Sequence, residues 1–126
     1  MKKVITSDKA PKAIGPYSAA IKTENFVFTS GQLGIDPESG ELVSGGIEAE
    51  THQAIKNLIE ILIASGTNLN NVLKTTVFLK DINEFGKMND VYRIYFEGEP
   101  PARSAFQVAA LPKNASIEIE AIAIVQ

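Results

Sequence analysis

The chain contains no cysteine and no tryptophan, and its only histidine is His52. Without cysteine there is no disulfide framework, no thiolate nucleophile and no cysteine-held metal. One histidine leaves no zinc cluster, so no metal site is expected. A Ser-His-Asp triad would have to use His52, and neither Ser30 nor Ser104 sits in a nucleophile-elbow sequence. His52 is therefore read as a surface or helix-packing residue. Charge of one sign is also scarce: the net charge is −3, with acids and bases mixed along the chain. No basic stripe is present, which counts against nucleic acid as the main partner. Long apolar runs are missing too. Met1-Lys2-Lys3-Val4-Ile5 begins basic but lacks the apolar stretch of a signal peptide, and nothing approaches a membrane span. A cytoplasmic location without a membrane partner is the resulting expectation.

What is present suits one domain over residues 1–126, with 44% hydrophobic and 21% charged residues. Tyr17-Ser18-Ala19-Ala20-Ile21 and Phe26-Val27-Phe28-Thr29 read as strands of a hairpin, with turn-forming Lys22-Thr23-Glu24-Asn25 between them. Gly31, Gly34 and Asp36-Pro37-Glu38-Ser39-Gly40 predict loops. Ile47, Ile55, Leu58, Ile59, Leu62 and Ile63 repeat at helical spacing, and Ser65-Gly66 supplies a stop. A β-branched run predicts a strand over 72–80. Phe85, Met88, Val91, Tyr92 and Tyr95 predict a helix over 82–96, with Asp81 as N-cap and Gly98 beyond the end. Strands over 103–110 and 117–125 follow. Helices alternating with strands predict an α+β or α/β layered sheet with both helices on one face. The apolar run after Glu120 predicts a central last strand.

Two charged features stand out. Arg103 opens a strand after the rigid lead Pro100-Pro101-Ala102, and the guanidinium fork is the side chain best shaped to grip a small carboxylate. Glu118 and Glu120 share one strand face by period two, and either could relay a proton. Periodicity alone does not choose between them. A salt bridge at Arg103 and a solvated face at the two glutamates are the plain structural alternatives. Ser30-Gly31-Gln32-Leu33-Gly34 lacks the third glycine and following helix of a dinucleotide site; Gly31 marks a turn or a close backbone approach to a ligand.

The stretches Ala13-Ile14-Gly15-Pro16-Tyr17-Ser18, Thr29-Ser30-Gly31-Gln32, Lys74 to Asp81, Pro101-Ala102-Arg103-Ser104 and Ile117 to Ala121 together resemble the RidA/YjgF family of imine/enamine deaminases. The resemblance implies a chorismate-mutase-like α+β fold, a mixed sheet backed by two helices. It also implies a final strand between the hairpin and the 72–80 strand, and assembly as a homotrimer with clefts between subunits. It implies that Arg103 binds the substrate carboxylate and that the backbone carbonyl of Ala105, with Glu118, holds and activates water. Tyr17, Ser30, Gly31 and Asn89 would close the cleft from the neighbouring chain. Many relatives carry cysteine where this chain has Ala105, so only a role for the backbone survives there.

The implied reaction is hydrolysis of reactive 2-imino acids, such as 2-iminopropanoate and 2-iminobutanoate, to 2-oxo acids and ammonia, without metal or organic cofactor. Two alternatives remain. A non-catalytic module that binds small carboxylates and regulates a partner protein would use Arg103 without depending on Glu118. A ribonuclease or translation inhibitor is disfavoured by the acidic balance.

Overall fold

The computed structural model describes residues 1–125. Its strands and helices are β1 (Lys3–Ile5), β2 (Ala20–Lys22), β3 (Phe26–Thr29), β4 (Gln32–Leu33), α1 (Gly46–Ala64), β5 (Val72–Leu79), α2 (Phe85–Tyr95), β6 (Ala102–Gln107) and β7 (Ile117–Ile124). They form a mixed sheet ordered β1-β2-β3-β7-β5-β6, with β4 also paired to β7. As the apolar run after Glu120 predicts, β7 is central. β5 lies antiparallel along one side of it, with β3 and then β4 along the other. β6 runs parallel to β5 and forms the edge.

In β7, Ile117, Ile119, Ala121 and Ala123 are buried, while the residues between them are half-buried. One face of the sheet is therefore core and the other open. The buried face joins Val77 and Leu79 of β5 to the apolar stripe Ala54, Ile55, Leu58, Ile61 and Leu62 of α1. Met88 and Tyr92 of α2 complete the cluster. The stop after α1 forms as the sequence predicts: Gly66 has φ 84°, and the amides of Gly66 and Thr67 bond back to the carbonyls of Ile63 and Leu62. Asp81 caps as expected, its side chain accepting from the Asn83 amide, but residues 82–84 form a 3₁₀ turn before α2 proper.

Other boundaries differ from expectation. β2 begins at Ala20, because Gly15 (φ 117°) and a bond from the Tyr17 amide to the Gly15 carbonyl fold residues 15–17 into a turn. β6 ends at Gln107 rather than at 110. β1 and β4 lie in segments where no strand was expected, and both depend on pairing with distant residues. Asn57 of α1, which is fully buried, donates to the carbonyls of Leu33 (3.1 Å) and Ile35 (2.8 Å). It thereby ties the short β4 to the helix. Gly34 allows this approach, since a Cβ there would lie 2.6 Å from the backbone of Glu50.

Asn57→Ala should leave these carbonyls without their donors inside the core. A loss of about 2–3 kcal/mol is expected, measured by urea unfolding. A loss below about 0.5 kcal/mol would mean that β4 is held by its pairing with β7 alone.

Candidate functional site

The side chains singled out by sequence fall into two groups on opposite faces of the sheet. On the open face, Tyr17, Ser30, Gly31, Gln32, Leu33 and Glu118 line a cavity of about 660 Å³. It arises where the chain leaves β3 and enters β4. β7 pairs with β3 up to Ile122 and with β4 from Ile119, so Ser30-Gly31 sits at the break between two pairings. The Thr29 hydroxyl covers the gap by accepting from the Ala121 amide at 3.0 Å. Ser30 holds the other wall through its hydroxyl, which donates to the Ser18 carbonyl at 2.6 Å.

Gly31 faces Glu118 so closely that a Cβ there would lie 2.6 Å from the carboxyl carbon and nearer still to one carboxylate oxygen. The close approach at this glycine is thus toward a side chain of its own chain and not, as the sequence reading has it, toward a ligand. Burial lifts the Glu118 carboxyl above the ordinary carboxylate range, and the like charge of Glu120 adds to the rise. Glu118 is therefore suited to take up and return a proton closer to neutrality than an exposed carboxylate.

The second group lies on the helix side. Arg103 pairs with Thr75, whose neighbour in β7 is Ala121, and both of those residues are buried in the core. Its guanidinium donates to the Asn89 side-chain oxygen at 2.7 Å. It lies 4.7 Å from the centre of the Tyr92 ring and 5.3 Å from that of Phe85. The Tyr92 hydroxyl is fixed by a 2.8 Å hydrogen bond with Thr75. Burial pushes the Tyr92 phenol up, against opposing pulls from Thr75 and Arg103. A shallow cavity of about 410 Å³ opens here, lined by Asn89, Tyr92, Arg93, Phe96, Pro101 and Arg103. Among the described residues the one ion pair is Arg93 with Asp90, so the Arg103 charge has no carboxylate beside it.

Glu118 is level with Phe78 and Phe106, three residues from the level of Arg103 and Thr75. At strand spacing that is roughly 10 Å along the sheet, in addition to two strands across and the change of face. Arg103 and Glu118 of one chain therefore do not meet on one small molecule. The expected grouping, with Tyr17, Ser30, Gly31 and Asn89 together opposite Arg103 and Glu118, is corrected accordingly. Glu118 belongs with Tyr17, Ser30 and Gly31, while Asn89 belongs with Arg103. His52 lies outside both groups, its Nδ1 2.8 Å from the Tyr95 hydroxyl between the helices. Of the surface and helix-packing roles open to it from sequence, it takes the second. Nothing in the sequence marks Thr75 as a site residue, and Phe85 and Tyr92 read there only as part of the apolar stripe of α2.

Among the described residues no helix is long and apolar enough to cross a membrane. No cluster of metal-ligating side chains forms there either.

An α+β domain with two helices on one sheet face and a central antiparallel β7 is the architecture of solved Rid-family proteins. The family description Endoribonuclease L-PSP matches residues 7–125, and the chain belongs to this family, the RidA/YjgF family that its motifs resemble. It is 56% identical over 124 residues to 2-iminobutanoate/2-iminopropanoate deaminase of Mus musculus, covering 98% of this chain and 92% of that protein. A putative endoribonuclease from Thermotoga maritima superposes with a TM-score of 0.96 at 52% identity, covering 100% of this chain and 99% of that one. The crystal structure of E. coli TdcF with bound serine gives 0.94 at 38% identity, covering 98% and 99%.

Replacing Glu120 by Gln removes the like charge beside Glu118. The ionised form of Glu118 is then less disfavoured, so its pKa should fall while remaining raised by burial. Carboxyl carbon resonances followed through a pH titration read this directly. No movement, or movement upward, would contradict the electrostatic account of the pair.

Proposed function

We propose that this chain hydrolyses 2-imino acids, with 2-iminopropanoate and 2-iminobutanoate as its substrate class, to 2-oxo acids and ammonia. The observation that carries the reading is the pair of complementary half-sites: an arginine held without a carboxylate partner, and a carboxyl group with a raised pKa in a cavity. The mouse relative, named for this activity, and the TdcF relative, with an amino acid bound, support it.

In this reading Arg103 grips the substrate carboxylate in bidentate fashion and Asn89 fixes the guanidinium plane. Water approaches the C=N carbon, held by the Ala105 carbonyl and by Glu118. Strand geometry favours the first contact. The Val108 amide bonds to the Leu79 carbonyl across the parallel ladder, so by alternation the Ala105 carbonyl points away from β5, out of the sheet edge. Water attacks the protonated imine as Glu118 takes one of its protons, giving a neutral tetrahedral carbinolamine. Glu118 returns that proton to nitrogen, and as the C–N bond breaks the carbinolamine hydroxyl passes its own proton through Glu118 to the departing ammonia, leaving a 2-oxo acid and ammonium. The imine carbon is already electrophilic, so positioning and one proton relay suffice.

The half-sites lie on opposite faces, so the catalytic unit we propose is a homotrimer with each site at an interface. Arg103, Asn89 and Ala105 come from one chain, and Tyr17, Ser30, Gly31 and Glu118 from its neighbour. Two features support it. β6 presents an unpaired edge, which stable proteins cover. The open face also exposes Phe26, Phe28 and Phe106. RNA cleavage, named in the family description, would need a cationic track for phosphates, and the net charge is −3.

The test couples a dehydratase that makes imine from threonine to the measured appearance of 2-oxobutanoate. Arg103→Ala should lower kcat/KM at least about tenfold, and Arg103→Lys should not restore it because an ammonium lacks the fork. Glu118→Gln should bind 2-oxobutanoate while turnover falls by about 100-fold. Wild-type turnover in Glu118→Gln would favour a carboxylate-binding module in which Glu118 is passive.

A further inference from the structure

Phe85, Asn89 and Tyr92 occur at steps of four and three along α2, and Phe96, the residue that ends the helix, follows four further on, so they form one stripe. By pattern alone the stripe is core, and part of it does pack there, with Tyr92 stacked on Phe96 at 4.4 Å. Yet its first three residues all converge on one atom group, the Arg103 guanidinium, at 5.3 Å, 2.7 Å and 4.7 Å. Arg103 is half-buried on an edge strand, and a charge drawn partly out of water gains from an opposite charge beside it. Here the neighbours supply two ring faces and one neutral amide oxygen instead.

The difference matters chemically. A carboxylate partner would occupy the fork and cancel the charge that an anionic ligand needs. A ring face attracts the cation through its quadrupole and fixes the guanidinium plane, but it consumes no N–H and leaves the net charge intact. Tyr92 is itself immobilised, since its hydroxyl is bonded to Thr75, the residue paired with Arg103 in the neighbouring strand. The holder and the held group are thus referenced to the same position of β5.

We infer that Phe85 and Tyr92 are positioning residues for carboxylate recognition, holding the Arg103 fork flat and unpaired so that its outer edge is available to a substrate carboxylate. The inference rests on the deaminase reading for its substrate but not for its geometry, and the test separates the two.

Arg93 and Arg103 are the chain's only arginines, and Arg93 is exposed beside Asp90, so it provides an internal reference. In the wild type, side-chain resonances of Arg103 should be displaced from those of Arg93 by the ring currents of Tyr92 and Phe85. In Tyr92→Leu and Phe85→Leu, each confirmed folded by its unfolding midpoint, the displacement should shrink. The KM for 2-iminobutanoate and the Kd for 2-oxobutanoate should both rise by roughly three- to thirtyfold, with kcat held within about twofold. Phe85→Tyr keeps its ring and should restore both constants; Tyr92→Phe keeps its ring but loses the bond to Thr75, and should recover most of the loss. Folded leucine variants with unchanged resonances or unchanged Kd would overturn the inference. So would a parallel fall in kcat, affinity and stability that the ring-preserving variants do not repair. If wild-type protein hydrolyses no 2-imino acid, the deaminase reading fails, while resonances and Kd still decide the inference.

Discussion

The register of β7 is the constraint on which the rest of the structure depends. Its odd-numbered residues carry the core and its even-numbered ones the open face, so a slip by one residue would exchange Glu118 with a core isoleucine. Three devices fix the register. β5 pairs along nearly the whole strand, β3 and β4 share the other side, and the Glu50 carboxylate accepts from the Ser116 amide at 2.8 Å just before the strand begins. The change from β3 to β4 is also what opens the cavity in front of Glu118. The same pairing that stabilises the sheet therefore places the titrating group.

Local signals carried much of the fold into the sequence. The stripe of α1, its Ser65-Gly66 stop and the Asp81 cap are all short-range features, decided within one helical turn. The central position of β7 was legible because an apolar strand needs cover on both sides. β1 and β4 were not legible. Two or three residues have no period of their own, and β4 forms by pairing with β7, with its Leu33 carbonyl held by Asn57, 24 residues away.

The site was legible in kind but not in arrangement. Arg103 and Glu118 announce themselves as charges in strands, but whether they share a face depends on two successive registers across β5. Parity within a single strand cannot supply that. Asn89 reads as an ordinary polar residue on a helix, and Phe85 and Tyr92 read as core. Only the packing of α2 against the end of β6 shows that all three meet one guanidinium. Gly31 gave a partial signal: its need for close approach was foreseeable, while its neighbour, the Glu118 carboxylate, was not.

On the proposed function, a monomer with Arg103 on one face and Glu118 on the other holds two halves of a reaction and no whole one. Exchange of subunits tests this most directly. Arg103→Ala and Glu118→Gln proteins, each inactive alone, would be mixed in equal amounts, dissociated reversibly and allowed to reassociate. If sites form between chains, about a quarter of the interfaces should join a wild-type Arg103 to a wild-type Glu118. Hydrolysis of 2-iminobutanoate should then return to about a quarter of the wild-type rate. A mixture that regains its oligomeric state but no activity would contradict the account.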